Sequence, residues 1–146
     1  MVGLPGSGKS TEISRLPKGL PIASTDWHIQ YKANLIGKSY EEVFDEYVLW
    51  AHDEMYKDIA GYIQANSSFV WDQTNLSKWK RSKVLDIIPD HYKKVAIVMH
   101  TPFEKCLEFN DKRERRIDPK VIYKMRRKLQ PVDETEGFDQ IIYVNL

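Results

Sequence analysis

Apolar positions along the chain follow two rhythms. Short runs rich in β-branched and aromatic residues fall at 20–24, 69–71, 95–99 and 141–144, and each predicts a strand. Between the first two lies 40–65, where Val43, Phe44, Tyr47, Val48, Met55, Ile59, Tyr62 and Ile63 recur at helical spacing and predict one long helix. Further helices are predicted over 9–15, 78–88, 103–112 and 119–130, the last opened by Asp118 as N-cap with Pro119 at the first helical position. Strands alternating with helices predict βαβ units, and hence an α/β fold whose parallel sheet carries helices on both faces. No repeat, low-complexity tract or linker breaks the pattern, so 1–146 reads as one domain.

Composition narrows the function classes. With 42% hydrophobic and 29% charged residues, 146 positions suffice for one sizeable core and are too few for two full domains. The 22 basic and 21 acidic residues leave a formal charge of +1, which argues against a non-specific grip on nucleic acid over the whole surface. Any such contact has to be local, and basic residues do cluster at Lys78, Lys80, Arg81 and Lys83 and again at Lys124, Arg126, Arg127 and Lys128. The single cysteine, Cys106, excludes an internal disulfide, and neither it nor His52, His91 or His100 has a partner at metal-ligand spacing. No stretch approaches the ~20 apolar residues of a membrane helix, and the start does not resemble a signal peptide. A soluble, cytoplasmic protein without a membrane partner is expected; the oligomeric state stays open.

The chemistry begins with Gly3-Leu4-Pro5-Gly6-Ser7-Gly8-Lys9-Ser10, which fits the G-x-x-x-x-G-K-[ST] pattern at every fixed position. Such a P-loop needs glycines because its backbone must bend tightly and turn N–H groups toward phosphate oxygens, with the following helix adding its positive end. Lys9 is expected to reach the β and γ phosphates of ATP, and the Ser10 hydroxyl to ligate Mg²⁺. A buried strand of about five or six residues usually leads into this loop. Here only Met1 and Val2 do, so either that strand is stunted or further residues lie upstream.

A P-loop alone does not say whether the γ phosphoryl goes to water or to an acceptor. Asp26, closing Ser24-Thr25-Asp26 at the end of the 20–24 run, is placed at the carboxyl edge of the sheet, where it can orient an acceptor hydroxyl and take its proton. It can equally be a helix N-cap. Asp72, in Val70-Trp71-Asp72-Gln73-Thr74-Asn75, stands where a carboxylate would hold Mg²⁺ through water, with Thr74 and Asn75 toward the cleft or serving only turn chemistry. Lys112-Arg113-Glu114-Arg115-Arg116 lies between two predicted helices, as a short arginine-bearing lid or a solvated charged face. Trp27, His28, Trp50 and Trp79 either stack on bases or pack.

Taken together these residues resemble the kinase domain of the polynucleotide 5'-hydroxyl kinases, within the small P-loop kinases. The matches are the loop through Thr11, Asp26, Asp72-Gln73-Thr74-Asn75 followed by Arg81, the lid arginines, and Lys128-Leu129-Gln130-Pro131 leading to Glu136-Gly137-Phe138-Asp139. The resemblance implies a P-loop kinase sheet, and transfer of the ATP γ phosphoryl to a 5'-hydroxyl of DNA or RNA. It assigns Gly3, Gly6, Ser7, Gly8, Lys9, Ser10 and Thr11 to ATP and Mg²⁺, and Asp26 to the general base. Thr74, Asn75 and Arg81 fall near the acceptor, Arg113 or Arg116 in the lid, and Asp72 as the second acidic residue. Where phage-type enzymes commonly carry an arginine three positions after the catalytic aspartate, this sequence has Ile29. The D-x-D motif of the phosphatase often joined to such kinases does not occur, and no phosphatase activity is expected. Two other readings use the same loop: a kinase acting on a hydroxymethylated base or a small alcohol, and a nucleotide-binding module that transfers nothing.

Overall fold

Side chains of Ser24, Ser39, Ser77 and Asp118 cap four of the helix starts, and the apolar runs between helices become strands. A computed structural model describes residues 1–146, which group into two compact units, Met1–Lys18 with Thr74–Leu146, and Gly19–Gln73. The fold is α/β with parallel strands, as a P-loop kinase requires.

In the Gly19–Gln73 unit, β1 (Ile22–Ala23) pairs in parallel with β2 (Val70–Trp71), with Ala23 opposite Trp71. Two helices, α2 (Thr25–Ile36) and α3 (Tyr40–Gln64), connect them. The sequence pattern places α3 to within a residue. Its capping box explains why: Ser39 Oγ accepts from the Glu42 amide at 3.2 Å while Glu42 accepts from the Ser39 amide at 2.7 Å. Hydrogen bonding from Ser39, its backbone amide first and then its hydroxyl, holds the Glu42 carboxyl below its ordinary pKa. Ile29 and Ala33 of α2 bury against Val43 and Ala51 of α3, flanked by Tyr40, Tyr47, Val48 and Trp50. Ile29 is therefore core, and an arginine at that position would bury an unpaired charge.

The helix α2 is not predicted by the pattern. Trp27, Ile29, Tyr31, Ala33 and Leu35 alternate with polar residues, which imitates the period of a strand. Two helical stripes produce that alternation. Thr25, His28, Ile29 and Ala33 are buried, whereas Trp27, Tyr31 and Leu35 lie along an exposed face.

In the other unit, β3 (Val95–His100) and β4 (Gln140–Asn145) pair in parallel over six residues. On the other side of β3, Val2 alone forms a parallel bridge with Val98, its amide donating to Ile97 O at 2.8 Å and its carbonyl accepting from Met99 N at 2.9 Å. Val2 thus adds one residue of ladder directly ahead of the P-loop. Around it stand α1 (Lys9–Ile13), α4 (Lys78–Asp86), α5 (Phe103–Asp111) and α6 (Pro119–Lys128), then a single 3-10 turn at Glu134–Glu136. Asp118 caps α6 as expected, accepting from Lys120 N at 2.8 Å. Leu4, Leu76, Phe103, Cys106 and Ile122 form one core cluster here, and Val2, Ala96 and Val132 another. No helix is long and apolar enough to cross a membrane.

Candidate functional site

The P-loop is held by contacts that only glycine permits. Gly6 has φ +76°, and a Cβ there would run into the carbonyl oxygen of Cys106 in α5 and stand 3.1 Å from the amide of Asn110. A Cβ on Gly3 would stand 2.6 Å from Ser7 Oγ. Gly8, with φ +93°, is the residue from which α1 begins, so the amides of the first α1 turn lie at the positive end of the helix. The Gly3 amide donates to Thr74 O at 3.0 Å, and Thr101 Oγ1 donates to Ser7 O at 2.8 Å. Lys9 Nζ donates to the carbonyls of Gly3 and Leu4, both at 3.0 Å, and so lies across the loop it is expected to serve. Beneath the loop, burial pushes the Cys106 thiol above its ordinary pKa, against a smaller opposing pull from Lys9.

Three features fit a polyphosphate and its metal. Ser7 Oγ is buried without a hydrogen-bond partner, Ser10 and Thr11 are exposed on the first α1 turn, and the loop ends on a helix N-terminus. A hydroxyl such as that of Ser10 suits a hard, oxygen-seeking cation.

The segment 112–116, expected to form a lid, spans the turn between α5 and α6. Its base is a feature not anticipated from sequence: Asn110, buried, donates through Nδ2 to Ile117 O at 2.8 Å and accepts at Oδ1 from Ile117 N at 3.1 Å. Arg113 is half-buried, with its amide donating to Asn110 O at 3.2 Å. Arg116 is exposed and pairs with Asp111.

Two residues expected near the acceptor are placed elsewhere. Arg81 is 1% exposed, and its guanidinium meets the Glu136 carboxylate at 2.6 and 2.9 Å and the carbonyls of Asn75, Leu76 and Pro131 at 3.0–3.1 Å. A five-donor fork spent in this way is a structural cation, which corrects the reading of Arg81 as a substrate contact. Asn75, expected toward the cleft, is buried at φ +48° and donates through Nδ2 to Met1 O at 2.9 Å. Thr74 is half-buried and holds the Gly3 amide through its carbonyl. The P-loop entrance is therefore tied to 74–76, and 74–76 to Arg81.

In the Gly19–Gln73 unit, Asp26 and Asp72 both follow the carboxyl ends of paired parallel strands. Ser24, not Asp26, is the N-cap of α2: its hydroxyl accepts from the Asp26 amide at 3.2 Å. The Asp26 side chain is exposed in the first turn, and its Oδ1 accepts from Tyr40 Oη at 2.6 Å. Tyr40 is a functional candidate that sequence reasoning missed, because the partner helix α2 was itself unseen. Asp72 is half-buried; its amide donates to Ala23 O at 2.9 Å and prolongs the β1–β2 ladder. Gln73 Nε2 donates to Thr25 Oγ1 at 2.9 Å. Of the aromatics, Trp27 and Trp79 are exposed, Trp50 is half-buried, and His28 is buried against Asp58 at 2.6 Å.

Parallel α/β architecture with this loop defines a P-loop nucleotide-binding domain of the kinase-like class. A family model described as AAA domain (AAA_33) matches residues 1–132, and the chain belongs to that family. The family contains many kinases, so at this level the protein is a kinase-like phosphotransferase. A search among curated proteins returned no match.

Proposed function

We propose that the protein transfers the γ phosphoryl of Mg²⁺·ATP to a 5'-hydroxyl of DNA or RNA. The observation that carries this reading is Asp26: an exposed carboxylate at a strand's carboxyl end, with one oxygen held by Tyr40 at 2.6 Å. A module that only binds nucleotide has no use for such a group. The Asp26 carboxylate, oriented by the Tyr40 hydroxyl, receives the acceptor's proton as the oxygen attacks in line. Gly3, Gly6, Ser7, Gly8 and Thr11 cradle ATP, and Lys9 exchanges its two loop carbonyls for phosphate oxygens. The Ser10 hydroxyl would hold Mg²⁺, and Asp72, half-buried just after β2, is the candidate second acidic residue. Bound Mg²⁺ supplies charge neutralisation for the phosphates. Arg113, with Arg116 beside it in sequence, offsets charge on the transferring phosphoryl. Thr74 stays as the polar candidate at the acceptor side.

The test incubates the protein with γ-labelled ATP, Mg²⁺ and 5'-hydroxyl DNA and RNA oligonucleotides, with 5'-phosphorylated and hydroxymethyluracil-containing controls. Label confined to the 5' end is expected. Asp26→Asn should cost roughly 100-fold or more in turnover while ATP affinity is kept. Label retained on 5'-phosphorylated modified DNA, or full turnover by Asp26→Asn, would sink the proposal.

A further inference from the structure

Helix α2 carries an apolar stripe that the core does not use. Trp27 is 61% exposed and Tyr31 51% exposed, although the opposite face of the same helix is packed with Ile29 and Ala33. The two rings are not loose surface residues: they stack on one another with centroids 5.4 Å apart and planes within 6°. The Trp27 ring also makes a T-shaped contact with His28, centroids 5.0 Å apart, and His28 is held by Asp58, so one ring of the pair touches a fixed side chain. Beside the rings, at helical offsets of three and four, Gln30 and Asn34 join side-chain amides at 2.9 Å. Trp27 immediately follows Asp26 in sequence.

From this face we infer a nucleobase-stacking platform: Trp27, backed by Tyr31, receives a base of a single-stranded acceptor, with Gln30 and Asn34 within the same helix face to meet its polar edge. The inference rests on the proposed reaction, since it assigns that acceptor's base. The chemistry favours a base over a protein partner. Two flat rings with adjoining amides offer π-surface and hydrogen bonds, and even with Leu35 at the end of the stripe the exposed apolar face is three side chains, whereas a stable protein interface needs roughly 800 Å² per partner. Stacking is sequence-tolerant because every base has a π-face, so the platform gives affinity for single strands without reading a sequence. It also supplies a hold on the acceptor that does not depend on a phosphate contact from position 29, which here is the buried Ile29.

The test separates ring from bulk and base from backbone. Binding of a 3'-fluorescein (dT)6 with a 5'-hydroxyl is measured by anisotropy against the same strand made fully abasic, for wild type, Trp27→Leu and Trp27→Phe. Base stacking at one ring is worth roughly 5- to 150-fold. Wild type should prefer the base-bearing strand by at least about tenfold. Trp27→Leu, which keeps apolar bulk, should bring that ratio near one, and Trp27→Phe should retain most of it. An unchanged ratio in Trp27→Leu, no base preference in wild type, or a dimer that Trp27→Leu dissolves in sedimentation would overturn the inference. Phosphoryl transfer to the same strands is scored separately. Base-dependent binding with no transfer sinks the kinase reading alone, and transfer that ignores Trp27 sinks the platform alone.

Discussion

Removing the Glu136 carboxylate should damage the protein far more than its place in one turn of 3-10 helix suggests. Arg81 is buried, and Glu136, whose side chain is 8% exposed, is its counter-ion. Three of the remaining guanidinium contacts go to carbonyls, which satisfy hydrogen bonds but do not neutralise charge. Glu136→Ala therefore leaves an uncompensated cation inside the Thr74–Leu146 segment, a loss of about 3–5 kcal/mol. With a urea m-value of about 2 kcal/mol/M, the unfolding midpoint should fall by about 1.5–2.5 M. Lys78→Ala provides the comparison on the same surface: Lys78 pairs with Asp133, both partly exposed, and its loss should cost ~0–1 kcal/mol. Replacing both partners, Arg81→Met with Glu136→Leu, removes the charge problem yet orphans the carbonyls of Asn75 and Pro131, while Leu76 O keeps the Gln130 amide at 2.8 Å, so it should recover only part of the loss. ATP affinity should weaken along with stability, because Arg81 holds Asn75, Asn75 holds Met1 and the neighbouring Thr74 holds the Gly3 amide. A midpoint for Glu136→Ala within about 0.5 M of wild type would refute the reasoning, since that is the scale of an exposed pair.

Gly6→Ala should cost more than the roughly 1–2 kcal/mol of a left-handed backbone, because its Cβ meets the Cys106 carbonyl, whereas Gly37→Ala, at φ +69° with open space around it, should cost only the backbone share. Thermal melts of the two variants, with and without ATP, decide this, and equal losses would contradict it. Tyr40→Phe should lower kcat on the order of tenfold with the ATP KM unchanged, if Tyr40 orients Asp26 for proton transfer; a wild-type kcat would remove Tyr40 from that role. Asp133 is held down from 3.8 to about 2, chiefly by Lys78 and then by Thr135. Its folded pKa lies below the unfolded one, so its contribution is present above about pH 4 and is lost as pH falls toward 2. The gap in urea midpoint between wild type and Asp133→Asn should close over that window, and a gap that stays constant would exclude the linkage.

Much of this organisation is legible in the sequence because the signals are local. The P-loop is read from fixed positions, α3 from Ser39, Glu42 and its periodic apolar residues, and α6 from Asp118 and Pro119. Helix ends are less legible: α4, α5 and α6 each stop one or two residues before the apolar pattern does, since terminal turns lack the next hydrogen bond. What escapes the sequence is long-range. Arg81 lies 55 residues from Glu136, and nothing local distinguishes a guanidinium that will be buried from one that will meet a phosphate. Tyr40 and Asp26 are joined only because α2 and α3 fold against each other, and α2 is masked by its exposed stripe. Asn110 reads as an ordinary helical asparagine until its amide is seen to bridge both polar groups of Ile117.

That bridge makes the 112–116 segment a closed ring. Both ends of the segment carrying Arg113, Arg115 and Arg116 are pinned to one buried amide, and the backbone that Asn110 belongs to is the one fitted against Gly6. Loop-closure entropy for these residues is lost once, on folding, and does not recur with each nucleotide bound. The segment is consequently anchored at both ends to α5, and the stretch of α5 from Cys106 to Asn110 that anchors it is also the stretch that Gly6 of the phosphate loop is fitted against.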